Sequence, residues 1–289
     1  MHRSGFVNIL GKPNVGKSTL MNALLGQKLS IITPKAQTTR HRIMGIANGE
    51  DYQVVFSDTP GVLKPNYKLQ EQMMRFVHST LEDADLFIVL TEIHDDFDDE
   101  SILVKIGHSN IPVMVLINKV DLASQEEVVR KCEQWKQQHP GWMVLPISAL
   151  RNFNLDQVFS KILELIPESP PYYPKDEVAD KPVRFFVAEM VREKILMNYQ
   201  KEIPYSVEVV VESFKEEEAI VHIRCIIHVA RETQKGIIIG HQGKALKKVG
   251  TEARKDIETF LEKKVFLELH VKVSKNWREN DLQLRRFGY

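Results

Sequence analysis

Only two cysteines occur in 289 residues, Cys132 and Cys225, and they lie far apart, without metal-ligand spacing. That scarcity excludes a disulfide-stapled scaffold and fits ordinary buried thiols in a reducing, cytoplasmic setting. No stretch approaches the roughly 18 apolar residues of a membrane span. The chain opens Met-His-Arg-Ser-Gly and then residues 6–10 read as a first core strand, not as a leader with a cleavage site. Net charge is also absent, with 39 Lys+Arg against 39 Asp+Glu. The zero hides an asymmetry. Residues 1–180 carry 18 basic and 23 acidic side chains, a balance of −5, and residues 181–289 carry 21 and 16, a balance of +5. Halves of opposite sign point to different partners, with the basic half the candidate for nucleic acid.

Short apolar runs at 6–10, 43–47, 54–57, 86–91, 113–117 and 143–147 alternate with helical patterns such as 69–81, 125–138 and 155–166. This alternation predicts an α/β domain over 1–166, with a mostly parallel sheet between helices. The runs 43–47 and 54–57 are too close for a helical crossover, so they are expected as an antiparallel hairpin at one edge. Five prolines fall in 167–182. They predict a semi-rigid linker and a domain boundary there. Residues 183–289 then read helix (184–199), strand (205–214), strand (218–230), short helix (234–239), long helix to about 261 and strand (265–273). This gives an α+β domain in the order α-β-β-α-α-β.

Gly11-Lys-Pro-Asn14-Val15-Gly16-Lys17-Ser18 fits G-x-x-x-x-G-K-[ST] between a strand and a helical pattern beginning at Thr19. Such a loop turns backbone N–H groups and a helix N-terminus toward phosphates. Lys17 is expected at the β/γ-phosphates and Ser18 at Mg²⁺. Asp58-Thr-Pro-Gly61 closes the third apolar run. It puts a carboxylate where the magnesium shell lies and the Gly61 N–H toward the γ-phosphate. Asn118-Lys119-Val-Asp121 follows the fifth run. The Asp121 carboxylate can accept from the N1–H and exocyclic amine of guanine, a donor pair that adenine lacks on that edge. Ser148-Ala149 follows the next run and suits the backbone contact to guanine O6. Together these residues predict binding of GTP and GDP.

The run Asp95-Asp-Phe-Asp-Asp-Glu100 reads as a solvated loop and helix N-terminus, where acids suit the dipole. Trp135 and Trp142 read as packing residues.

The first domain resembles the translation-factor class of P-loop GTPases. Within it, residues 11–18 with Gln37-Thr38-Thr39-Arg40 and Asp58-Thr-Pro-Gly61 resemble the Era family. The resemblance implies that 26–42 and 58–68 are the switch segments and that Thr38 or Thr39 ligates Mg²⁺ in the GTP state, Thr39 being the choice. Val62 stands where Ras-type enzymes carry a water-orienting Gln. An aliphatic side chain cannot do this, so slow intrinsic turnover is expected. Asn14 has two readings: it shapes the loop, or it ligates a K⁺ ion, as the matching Asn does in related GTPases.

In the second half, Gly236-Ile237-Ile238-Ile239-Gly240-His241-Gln242-Gly243-Lys244 resembles the I-G-x-x-G loop of a type II KH module, which clamps single-stranded nucleic acid. The isoleucines are expected to support the loop and give bases an apolar floor. Lys244, Lys247 and Lys248 are expected to supply counter-charge. Such loops often carry Lys or Arg at the two variable positions, which here are His241 and Gln242. RNA affinity that rises as pH falls through the His range is the resulting expectation. Trp277 either packs or stacks a base. His270 and Lys272 are placed on a solvated strand face.

The Era resemblance covers nearly the whole chain. It implies GTP hydrolysis, binding near the 3′ end of 16S ribosomal RNA, and a role in assembly of the 30S subunit under control of the GTP state. It also implies a monomer with at most a peripheral contact to the cell membrane. Two rivals are a binding module that holds GTP as a structural ligand, and a GTPase whose KH-like domain binds protein.

Overall fold

A computed structural model describes residues 2–289. The chain divides into two units. The first comprises Met1–Ser30, Thr39–Lys64 and Met73–Asp180, and the second comprises Ile31–Thr38, Pro65–Gln72 and Lys181–Tyr289.

The first unit is built on six strands: β1 (Arg3–Gly11), β2 (Ile43–Asn48), β3 (Tyr52–Asp58), β4 (Leu86–Glu92), β5 (Val113–Asn118) and β6 (Met143–Pro146). Their order in the sheet is β2-β3-β1-β4-β5-β6. All neighbours are parallel except β2 and β3, which form the expected antiparallel edge hairpin. The central strands β4 and β5 are buried along almost their whole length, as continuous apolar runs between two helical layers must be. The helices are α1 (Lys17–Leu25), α2 (Lys68–Ser79), α3 (Glu100–Gly107), α4 (Gln125–Gln138) and α5 (Leu155–Leu165). Helix α4 starts at a reciprocal capping box between Ser124 and Glu127, which satisfies two otherwise orphan N–H groups. The first turn of α2, up to Gln72, groups with the second unit.

The proline-rich stretch is not a free linker. Up to Asp180 it is part of the first unit. Ile46 N–H donates to the Val178 carbonyl at 2.9 Å, Met44 N–H to Asp180 Oδ1 at 2.8 Å, and Asn48 Nδ2 to the Glu177 carbonyl at 2.9 Å. Gln53 receives the N–H groups of Tyr172 and Tyr173 and donates to the Tyr173 carbonyl. The physical reason is the sheet edge. Strand β2 presents a row of unpaired backbone groups, and the extended proline-rich chain covers them.

The second unit contains α6 (Val183–Asn198), α7 (Ile203–Ser206), β7 (Glu208–Glu216), β8 (Ile220–Val229), α8 (Glu232–Ile239), α9 (Lys244–Leu261), β9 (Lys264–Val273) and α10 (Asp281–Arg286). Its sheet runs β7-β8-β9, antiparallel then parallel. The predicted α-β-β-α-α-β order is present. The strand predicted from 205 begins three residues later, because Pro204 at the start of a helical turn takes up 203–206. A bulge between Val211 and Ser213 shifts the β7–β8 register. Val187, Val191 and Ile195 of α6 pack with Val249, Ala253 and Ile257 of α9 over Val221, Ile223, Cys225 and Ile227 of β8. His270 and Lys272 are exposed, as expected. Trp277 is fully buried and donates from Nε1 to the Ser206 carbonyl at 3.1 Å, so it packs and offers no face to a base.

Candidate GTP and RNA sites

Strand β1 delivers the phosphate loop and α1 leaves it. The capping residue of α1 is Gly16, with no side-chain cap and no acidic residue in the first turn. Its N-terminal N–H groups, including that of Thr19, are therefore available to anionic ligands. Gly16 has φ +104°, and a Cβ there would stand 2.4 Å from Asn118 Nδ2, so both backbone and space demand glycine. Val15 is buried, and its carbonyl accepts from Asn118 Nδ2 at 2.8 Å. Asn14 is exposed with φ 63°. Lys17 is 5 % exposed, and its Nζ donates to the carbonyls of Gly11 and Lys12 at 3.0 and 2.8 Å. Burial lowers its pKa to about 8, against the opposing charge of Asp58.

Three oxygen-bearing side chains meet beside the loop. Ser18 Oγ donates to Asp58 Oδ2 at 2.6 Å, Thr39 Oγ1 lies 2.9 Å from Ser18 Oγ, and Thr39 Oγ1 donates to Asp58 Oδ2 at 3.3 Å. Asp58 is fully buried, and its Oδ1 has no hydrogen-bond partner. Burial raises its carboxyl pKa, against the opposing bond from Ser18 and the charge of Lys17. An orphaned carboxylate oxygen beside two hydroxyls suits a hard, oxygen-seeking cation such as Mg²⁺. Among the described residues no group of three His, Cys, Asp or Glu side chains forms a metal cluster. Gly61 is buried against Pro13 of the loop. Val62 is 8 % exposed in the apolar core, and its N–H donates to the Gly11 carbonyl at 3.1 Å. Its aliphatic side chain carries no hydrogen-bonding group for a water.

The guanine elements also converge. Asn118 braces two loops, donating to Val15 and accepting from the Ala149 N–H at 2.9 Å. That N–H, expected at guanine O6, is thus directed to Asn118 in this structure. Ser148 Oγ donates to Asp121 Oδ1 at 2.6 Å and so orients the carboxylate, while Asp121 itself is exposed. Lys119 adopts φ 61° and pairs with Glu92. The brace by Asn118 and the orienting bond from Ser148 carry no sequence signal beyond the motifs.

The acidic run is more engaged than a solvated loop. Lys12 pairs with Asp95 and Asp98 at 2.8 and 3.0 Å, Lys131 pairs with Asp96 at 2.7 Å, and Asp99 caps α3. Trp135 is buried as expected, and His139 is stacked with both Trp135 and Trp142.

In the second unit the loop Gly240–Gly243 joins α8 to α9. Gly240 has φ +70°, and a Cβ there would lie 2.6 Å from Ala245 Cβ, so the two helices approach too closely for any other residue. His241 and Gln242 are exposed, as are Lys244, Lys247 and Lys248. Gly243 caps α9 without a side chain, leaving its N-terminal N–H groups open. Tyr199 Oη donates to the Ile238 carbonyl at 2.7 Å and fixes the approach to the loop. The expected isoleucine floor divides. Ile238 is wholly buried in the core, Ile239 is half-buried and Ile237 is 50 % exposed. One apolar floor lies elsewhere, in a groove of about 360 Å³ lined by Leu246, Gly250, Leu267 and Leu269, with Lys247 and Arg254 among its polar walls. Sequence reading missed it because its residues come from α9 and β9, and no contiguous motif joins them.

A parallel-stranded P-loop domain with paired phosphate and guanine elements, carried with a KH-type unit, defines a P-loop GTPase equipped with a KH module. Two family models agree. The one described as "50S ribosome-binding GTPase" matches residues 6–119, and a KH domain model matches residues 202–278. GTPase Era of Geotalea daltonii is 45 % identical over 289 residues, covering 99 % of this chain and 97 % of that protein. The chain belongs to the Era family, and it is a GTPase. The crystal structure of Era in complex with MgGDPNP and nucleotides 1506–1542 of 16S ribosomal RNA superposes with TM-score 0.95 at 39 % identity, covering 100 % of this chain and 99 % of that one. A point variant of Aquifex aeolicus Era bound to GDP·AlF4⁻ gives TM-score 0.95 at 40 % identity, covering 99 % of each chain. No helix among the described residues is long and apolar enough to cross a membrane.

Proposed function

We propose that this GTPase binds 16S rRNA near its 3′ end through its KH unit, that the GTP state controls this binding, and that the protein acts in assembly of the 30S subunit. The observation that carries the RNA reading is the juxtaposition of the Gly240–Gly243 loop, the open N-terminus of α9 and the apolar groove beside them. The loop and helix end suit phosphates, the lysines 244, 247 and 248 supply counter-charge, and the groove suits bases. The related structure that holds 16S rRNA supports the choice of RNA. The reading places the protein in the cytoplasm as a monomer, with at most a peripheral membrane contact.

In the hydrolysis step, water attacks the γ-phosphorus, the bond from that phosphorus to the β–γ bridging oxygen breaks, and GDP and phosphate leave. In this reading Lys17 and the N–H groups of Gly11, Asn14, Val15, Gly16, Ser18 and Thr19 hold the phosphates, and the Gly61 N–H contacts the γ-phosphate. Asp121, oriented by Ser148, selects guanine, with Lys119 and Ala149 completing the pocket that Asn118 braces. Ser18, Thr39 and Asp58 would hold Mg²⁺, which offsets charge on the phosphates when bound. With Val62 buried, Asn14 as a K⁺ ligand is the proposed substitute for a side chain that organises the transition state.

The test is binding of a labelled oligonucleotide covering the 16S rRNA 3′ end at fixed salt, with GDP or a non-hydrolysable GTP analogue. Tighter binding in the GTP state is expected. Equal binding would break the coupling, and no binding in either state would favour a protein ligand for the KH unit.

A further inference from the structure

Three residues separate Thr39 from strand β2, and all three are held within the first unit. Arg40 and His41 are buried, and the His41 ring lies 5.8 Å from that of Phe76 in α2. Arg42 makes the widest set of contacts. Its Nε and Nη2 donate to Ser57 Oγ at 3.1 and 2.9 Å, and its Nη1 pairs with Asp83 Oδ2 at 2.7 Å. Nη2 also lies 3.5 Å from Asn8 Oδ1. Asn8 in turn donates from Nδ2 to the Thr80 carbonyl at 2.6 Å and to Asp83 Oδ1 at 2.9 Å. One guanidinium therefore joins β1, β3 and the turn that follows α2.

Asn8, Ser57 and Thr80 are fully buried, so their polar groups depend on one another for partners. Asp83 keeps 43 % of its side chain exposed, so the ion pair alone adds little stability. What Arg42 adds is direction, because its planar fork holds Ser57 and Asp83 at fixed angles. These contacts bracket the hydroxyl–carboxylate set. Ser57 immediately precedes Asp58, and Ile43, the residue after Arg42, is the register partner of Asp58 in the hairpin. Strand β2 has a sheet neighbour on one side only, and Ile43–Asp58 is its last rung. An end rung frays unless something holds it.

We propose that Arg42 is a positioning residue for GTP hydrolysis: bonded to Ser57 and Asp83, it fixes the Ile43–Asp58 rung and so sets the Asp58 carboxylate against the Thr39 hydroxyl. This rests on the reading of Thr39 and Asp58 as Mg²⁺ ligands in the GTP state. Nucleotide binding without the metal, which that reading assigns to Lys17, the loop N–H groups and Asp121, is spared.

The experiment uses the full chain with Arg42→Gln paired with Asp83→Asn, and separately with Ser57→Ala. The pair leaves no charge without its partner, and an amide at position 83 still accepts from Asn8. Ser57→Ala removes only the acceptor and serves if the pair does not fold. Four quantities are measured: thermal unfolding, GDP affinity in EDTA, the Mg²⁺ concentration that half-maximally slows release of a fluorescent non-hydrolysable GTP analogue, and single-turnover hydrolysis. A folded variant is expected to bind GDP in EDTA within about twofold of the parent, to need roughly tenfold more Mg²⁺ and to hydrolyse GTP roughly tenfold more slowly. Arg42→Lys, which keeps the charge beside Asp83 but lacks the fork, is expected to fall between the pair and the parent. A folded variant with the parental Mg²⁺ requirement overturns the proposal, as does an equal loss of nucleotide affinity with and without Mg²⁺. Thr39→Ala and Asp58→Asn separate the two layers. A raised Mg²⁺ requirement in these two but not in the Arg42 and Ser57 variants defeats the positioning role alone. An unchanged requirement in both defeats the reading beneath it.

Discussion

Ser18 and Asp58 are joined by a 2.6 Å hydrogen bond from hydroxyl to Oδ2, which ties the first turn of α1 to the end of β3. The second carboxylate oxygen, Oδ1, is buried and has no partner. A fully buried carboxylate left half-satisfied is costly unless a cation completes it. Asp58→Asn removes the charge and turns one acceptor into a donor. Single-turnover GTP hydrolysis in the variant is expected to fall about 100-fold, or roughly 2.7 kcal/mol of transition-state stabilisation. A loss of only a few-fold would show that the orphaned oxygen has no part in holding Mg²⁺.

Lys17 gives a prediction about protons. Burial lowers its pKa to about 8. Phosphate groups of a bound nucleotide favour the charged form and draw the pKa back up. At pH 8 the free site is then about half protonated and the bound site nearly fully, so GDP binding should take up roughly half a proton. Calorimetry in two buffers of different ionisation enthalpy reads this directly. The sign for affinity follows, with GDP binding weakening as pH rises from 7 to 8.5. For folding the sign is opposite, because the native lysine holds fewer protons than the unfolded one between about 8 and 10.5, so its contribution to stability grows across that window. Zero proton exchange at pH 8 would show that Lys17 does not meet the phosphates.

The parts that were legible in the sequence are those where one local pattern settles one local structure. The run of residues 113–117 gave β5, and the short step between residues 47 and 54 gave the antiparallel edge. Gly11 through Ser18 placed the phosphate loop because its glycines, lysine and hydroxyl are contiguous. The proline-rich stretch contains the division between the units, at Asp180 and Lys181, but its pairing with strand β2 left no local signal, because proline content predicts stiffness and the partner is more than 100 residues away. The groove at Gly250 and Leu269 and the brace at Asn118 are products of tertiary meeting. Ile238 shows the same limit, since three isoleucines in a row on a helix point in different directions, and only Ile238 is fully buried.

Asp121 should set the base preference. Its carboxylate, held by Ser148, presents acceptors to the two donors of guanine. Asp121→Asn supplies a donor in place of one acceptor and is expected to weaken GDP binding about 100-fold, or roughly 2.7 kcal/mol. The same change should strengthen binding of xanthosine diphosphate, whose 2-position carries a carbonyl in place of the amine. Competition between the two nucleotides for the variant measures the swap. A variant that still prefers GDP would place base selection elsewhere.

Gly250 controls the depth of the groove in the second unit. A Cβ at this position would already stand 3.3 Å from Leu269 Cδ1. Gly250→Val fills space between Leu246 and Leu269; replacing glycine favours the helix while Leu269 must shift to make room, so the two effects oppose each other and unfolding should move little. RNA affinity is expected to drop about tenfold, or roughly 1.4 kcal/mol, in an anisotropy titration at fixed salt. Full affinity in the folded variant would mean that bases do not enter the groove and that the loop contacts to phosphate carry the binding alone.

Asn14 remains the test of how water is managed without a glutamine at position 62. Val62 is committed to the core, and its N–H is taken by Gly11, so neither side chain nor backbone there is available. Asn14 is exposed at the loop with φ 63°, a conformation that asparagine tolerates better than most residues. A carboxamide oxygen facing the phosphates can ligate K⁺, and a monovalent cation there offsets charge that develops on the β–γ bridging oxygen. Hydrolysis by the parent protein should therefore be faster in K⁺ than in Na⁺, by about tenfold or more, with GDP affinity unaffected. Asn14→Ala should abolish the difference between the two salts. Asn14→Asp, which keeps an oxygen ligand, should preserve it. Equal rates of the parent in K⁺ and Na⁺ would leave the loop-shaping role of Asn14 and return the question of water to the backbone of the second switch.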